Sequence, residues 1–166
     1  LDRQFMDGLG GFDLVYAWGV LHHTGQMWRA IDHSAERVLP GGLLLIAIYN
    51  DQGMRSRIWK RIKRLYCSGW LGNAIVSTLF YPLFFAYAVI LDLSRLRVPG
   101  THMREYFSRR GMSIVHDWRD WLGGYPFEVA TPTAIRSHLE ASGFELLNER
   151  LTAGWGCNEF VFRRVA

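Results

Sequence analysis

The 166-residue chain is 49% apolar and 14% aromatic, with 19 Lys and Arg against 15 Asp and Glu and a formal net charge of +4. That composition excludes a disordered chain, and so small a basic surplus does not mark a nucleic-acid binder, so no nucleic acid is expected as a partner. Two cysteines, Cys67 and Cys157, exclude a disulfide framework and a multi-cysteine zinc site, and no segment has the order of a signal peptide, so a reducing cytoplasm is the default. The chain opens at Leu1 inside sequence that reads as ordered, and an upstream portion is therefore expected.

In chain order, the first strong element is the apolar run Phe12 to Leu21, which follows the turn-rich Gly8-Leu9-Gly10-Gly11 and suits a buried strand. From Met27 the residues Met27, Ala30, Ile31, Ala35, Val38 and Leu39 fall at helical spacing, with Arg29, Asp32, Glu36 and Arg37 elsewhere on the wheel. Pro40-Gly41-Gly42 is expected to stop that helix, and Leu43 to Ile48 reads as a second buried strand. Two buried strands joined by one helix make a parallel unit.

A different segment follows, at 54–126. Arg55, Arg57, Lys60, Arg61, Lys63 and Arg64 are interleaved with Ile58, Trp59, Ile62, Leu65 and Tyr66, the pattern of a basic amphipathic helix. Trp70 to Leu91 then contains no charged residue and is long enough to cross a bilayer, but one crossing would put the later strands on the far side of the membrane. Pro82 lies near its middle, so a kinked helix or two short helices are expected. Beyond it lie a basic linker and an aromatic, acidic tract from His116 to Glu128. In the last part Thr131 reads as an N-cap with Pro132 at the first helical position, Ser142-Gly143 closes the helix, and strands are expected at Phe144 to Leu151 and Glu159 to Val165.

The run Phe12-Asp13-Leu14-Val15-Tyr16-Ala17-Trp18-Gly19-Val20-Leu21-His22-His23, a helix, and Leu39-Pro40-Gly41-Gly42-Leu43-Leu44-Leu45-Ile46-Ala47 resemble the fourth strand, following helix and fifth strand of class I S-adenosylmethionine-dependent methyltransferases. Asp120-Trp121-Leu122-Gly123-Gly124-Tyr125-Pro126-Phe127-Glu128 is similar to a tract in uncharacterised bacterial members of that superfamily. The resemblance covers about 1–48 and 123–166. It implies an α/β fold in which a partial Rossmann-like sheet carries strands 4, 5, 7 and 6 of the family's order 3-2-1-4-5-7-6, the last antiparallel. Residues 1–53 and 127–166 would form the C-terminal half of the methyltransferase domain, and 54–126 a helical insertion after strand 5. The family's acidic, glycine-rich loop after strand one and the acidic residue ending strand two have no counterpart in these 166 residues.

The implied cofactor is S-adenosylmethionine, approached by Trp18, Gly19 and Leu21 at the end of strand 4 and by Asp2 on position alone. Leu21 reads as core ahead of that role, whereas Trp18 and His22 read equally as lining the pocket and as filling it. For acid–base work on an acceptor the candidates are His22, Glu128 and Asp120, with Tyr49, Asn50, Asp51, His116 and Asp117 behind them; capping and ion pairing are the competing readings for the acids. Adjacent side chains on a strand point to opposite faces, so His22-His23 is not read as a metal site. The expected activity is methyl transfer to a small, lipophilic or aromatic acceptor by a longer chain, the fragment alone being inactive. The alternative is a non-catalytic membrane-peripheral or interaction module without the cofactor half. Location is expected to be cytoplasmic, with residues 55–91 forming either an acceptor lid or a peripheral membrane contact.

Overall fold

The computed structural model describes residues 3–165. In chain order its elements are α1 (Arg3–Gly8), β1 (Phe12–Trp18), a 3-10 turn (Leu21–His23), α2 (Met27–Glu36), β2 (Val38–Tyr49), α3 (Met54–Tyr66), α4 (Trp70–Ser94), α5 (Thr101–Arg110), α6 (Ile114–Gly123), α7 (Pro132–Ala141), β3 (Phe144–Arg150) and β4 (Cys157–Arg164). They divide into two compact units, Leu1–Arg57 with Pro126–Ala166, and Ile58–Tyr125.

The first unit is built on a four-stranded sheet in the order β1-β2-β4-β3. β1 and β2 are parallel, as the single connecting helix requires, and β4 is antiparallel to both of its neighbours. That is the neighbour order and the direction of the last strand that the resemblance implies. One face of the sheet carries Leu44, Ile46 and Ile48 from β2 and Phe160 and Phe162 from β4, which form the core with Ala30 and Ile31 of α2 and Ile135 and Leu139 of α7. Strand alternation sends Leu14, Tyr16 and Trp18 of β1 to the opposite face, where each stays about half exposed. α7 begins as its sequence signals: the Thr131 side chain accepts from Ala134 N at 3.2 Å, with Pro132 next.

Two boundaries differ from expectation. Val38 and Leu39 belong to β2, which runs straight through Pro40-Gly41-Gly42. Gly41 takes φ +77, the β1–β2 register slips between Phe12 and Leu14, and a Cβ on Gly42 would lie 2.9 Å from Asp13 O. The glycines make a bulge, which bends a strand without ending it. Likewise β1 stops at Trp18, and His22-His23 lies on a 3-10 turn, so the two rings touch edge to face at 4.6 Å instead of pointing apart.

The second unit is helical. Trp59 of α3 meets Phe80 of α4 and Trp121 of α6 with ring centroids 5.7 and 5.9 Å apart, and Tyr81 and Phe84 meet Trp118 at 6.0 and 5.5 Å. These contacts grip α4 on both sides of Pro82, and the helix runs unbroken for 25 residues instead of dividing there. A Cβ on Gly72 would fall on Leu65 O, so glycine is what allows α4 to start against the end of α3.

Candidate functional site

The ligand end of an open α/β sheet lies beyond the carboxyl ends of its parallel strands. Here β1 ends at Trp18 and turns at Gly19, whose φ of +70 suits glycine and whose missing Cβ would meet only open space. The chain then drops inward. His22 is fully buried, with its ring 4.0 Å from the ring of Tyr49 at the end of β2, and Tyr49 in turn meets Phe127 at 5.2 Å.

Residues 126–128 close this turn from the outside. The His23 Nδ1–H donates to Pro126 O at 2.7 Å, Glu128 N donates to His22 O at 3.0 Å, and Glu128 Oε2 accepts from Met27 N at 3.0 Å. Gln26 offers α2 no side-chain cap, so the carboxylate of Glu128 supplies it from 101 positions away, where the helix dipole favours negative charge. A Cβ on Gly25 would meet the Pro126 ring at 3.3 Å. The helix N-terminus that would receive a phosphate in a dinucleotide-binding turn is thus held by the chain's own acid.

At the end of β2 the polar groups are also engaged. Asn50 Nδ2 donates to Thr152 O (3.0 Å), Asn158 Nδ2 to Asn50 Oδ1 (3.1 Å) and Thr152 N to Asn158 Oδ1 (2.9 Å), which seals the loop between β3 and β4 against β2. Asp51 Oδ1 accepts from Gly53 N at 2.8 Å, a local turn. Burial and the nearby charge of Glu159 push the Cys157 thiol up to about 11, so it stays protonated and unreactive at neutral pH.

The residues singled out in the sequence therefore separate. His22 and Glu128 come together, but around a helix cap. Leu21 is a core residue. Trp18 stands on the open sheet face, stacked on Tyr16 at 6.1 Å, and lines a depression of about 160 Å³ with Leu45, Arg150, Glu159 and Val161. Asp2 lies outside the described residues. Asp120 is exposed on α6 of the second unit. No group of three or more His, Cys, Asp and Glu able to hold a metal occurs among the described residues.

Sequence reasoning passed over two buried charges in the second unit. Lys63 donates to Trp121 O, and one turn later Cys67 Sγ donates to Gly123 O at 3.4 Å, so α3 caps the last carbonyls of α6. Burial lowers the Lys63 ammonium to about 8. Asp92, buried at the end of α4, accepts from Gly100 N and His102 N at 2.9 Å each and so starts α5. Tyr106 donates to Asp117, and burial followed by that carboxylate pushes its phenol up to about 12.

No family model matches the chain, and no curated protein matches it. Among solved structures it is similar to an O-methyltransferase family protein from Burkholderia thailandensis, with 17% identity and a TM-score of 0.49 over 100% of this chain and 34% of that one. It is also similar to a protein from Bordetella parapertussis described as a possible exported protein, with 15% identity and a TM-score of 0.43 over 94% of this chain and 40% of that one. The chain thus spans between a third and two fifths of the length of these solved structures. Neither likeness assigns it an activity.

Proposed function

We propose that the chain is the acceptor-side half of an S-adenosylmethionine-dependent methyltransferase, with β1, β2, β4 and β3 as strands 4, 5, 7 and 6 of the family's sheet. The observation that carries this reading is the sheet itself: a parallel pair followed by a strand antiparallel to both neighbours, in the order β1-β2-β4-β3. Fold alone does not give function, so the weight also falls on the end of β1. Gly19 leaves open space there and Trp18 is exposed beside it, which fits one wall of a cofactor site. The remaining walls are not among these residues: the acidic, glycine-rich loop after strand one and the acidic residue ending strand two have no counterpart here. The 166 residues alone therefore do not hold the cofactor, and in a longer chain the remaining contacts come from other residues. The N-terminus of α2, already capped by Glu128, also disfavours a nicotinamide-dependent reading in which β1 would be the first strand.

In-line methyl transfer from a sulfonium needs an aligned acceptor and a group to take the acceptor's proton. His22, buried, and Glu128, bound to Met27 N, act in this proposal as positioning residues that fix the ends of β1 and β2. The exposed Asp120 is the remaining candidate for the proton. The acceptor in this proposal is a small lipophilic or aromatic molecule. Labelled methyl transfer by the extended product of the same reading frame tests this. Trp18→Ala and Asp120→Asn should each lower turnover with little change in melting temperature; turnover per folded molecule left unchanged by both would contradict it and favour a non-catalytic module.

A further inference from the structure

α4 inverts the ordinary pattern of a surface helix. Its inner positions Val76 and Ala88 are buried against its own unit, while Leu71, Ile75, Leu79, Leu83, Ile90 and Leu93 form an outer stripe in which every residue is more than half exposed. The helix has a mean hydropathy of 2.0 over an 18-residue window and is long enough to cross a membrane, with only 11% of that window buried. At about 1.5 Å per residue it is roughly 37 Å long.

The sheet forbids a crossing. β2 precedes α4 and β4 follows it, yet the two strands pair over Leu43–Tyr49, so both ends of α4 belong on one side of any bilayer. The charged α5 and α6, 10 residues each, are too short to bring the chain back.

The ends of the helix identify what lies against the stripe. Before it, Trp70 is 83% exposed and follows the basic α3, whose Lys60, Arg61 and Arg64 are exposed. After it, Leu96 is 98% exposed between Arg95 and Arg97 and takes φ +53, a left-handed conformation that disfavours leucine. Residues 58–125 hold ten Lys and Arg against four Asp and Glu, a net charge of +6. The apolar stripe of β1 has no such flanks.

From these features we infer that α4 lies in the interface of an anionic bilayer, with the stripe among the acyl chains, Trp70 and Leu96 as wedges at its ends, and the flanking arginines and lysines against lipid headgroups. The inference goes beyond methyl transfer and stands independently of it. The test is flotation of the 166-residue chain with phosphatidylcholine vesicles, with and without phosphatidylglycerol, at low and high salt. Binding should require the anionic lipid and weaken with salt. Lys60→Gln, Arg61→Gln and Arg64→Gln together should weaken it on the order of a hundredfold, at roughly two thirds of a decade per charge. Leu96→Gly relieves the backbone and touches no packing, so it should leave the melting temperature equal or higher while reducing flotation. Equal binding to neutral vesicles, or none under any condition, overturns the proposal. A dimer abolished by Leu79→Ser without lipid binding also overturns it and gives the stripe to a second copy of the chain.

Discussion

The carboxylate of Glu128 reaches the first amide of α2, and its backbone amide reaches His22 O, so one residue ties two connections together. Glu128→Ala should therefore cost about 1–2 kcal/mol in urea unfolding, and Glu128→Gln about half as much, because the amide oxygen still caps the helix but without the charge. Equal stability of the two variants would argue against the cap. Lys63 gives a pH signature. Its folded value of about 8 lies below the ordinary 10.5, so between those values the unfolded chain binds more protons and stability rises with pH. The raised Cys157 and Tyr106 act in the opposite sense, from pH 9 towards 11 and from pH 10 towards 12. Subtracting Lys63→Met from the unmodified chain removes those shared slopes: the difference should grow in favour of the unmodified chain from pH 8 to 10, and a flat difference would contradict a buried ammonium at Lys63. The sequence offered Glu128 and Asp120 as acids, but nothing in it tells that one caps a helix 101 residues away.

At the scale of elements, the bulge in β2 separates two kinds of glycine. Gly42 is packed against Asp13 O and Leu39 O, whereas a Cβ on Gly41 meets nothing and suffers only from φ +77. Gly42→Ala should cost about 1–3 kcal/mol and Gly41→Ala about 1 kcal/mol, measured by denaturant unfolding; the reverse order would show that the bulge is looser than described. β1 is an edge of the sheet and exposes Leu14, Tyr16 and Trp18, so the chain should self-associate through it. Tyr16→Lys should shift sedimentation toward the monomer; unchanged association would exclude this edge. The buried run of β2 and the Thr131 cap were legible because apolar runs and capping residues act locally, whereas β1, read as buried from an equally apolar run, is an edge strand with no buried residue. The ends of β1, α2 and β2 were not, because a bulge and a 3-10 turn arise from pairing between strands. The continuity of α4 through Pro82 likewise depends on rings from α3 and α6 that no local pattern names.

At the scale of the molecule, the proposed reading makes an open Gly19 turn and an exposed Trp18, beside a helix N-terminus already capped by its own acid, one half of a ligand end. Strand order could be anticipated from the resemblance, but the burial of His22 and the capture of Glu128 could not, since both are tertiary. Calorimetric titration of S-adenosylmethionine into the 166-residue chain and into the extended product of the same reading frame tests the half-site account most directly. The account predicts no measurable heat of binding for the 166 residues and a dissociation constant in the micromolar-to-millimolar range for the extended product, weakened by Trp18→Ala without loss of melting temperature. Micromolar binding by the 166 residues alone, or none by the extended product, would contradict it.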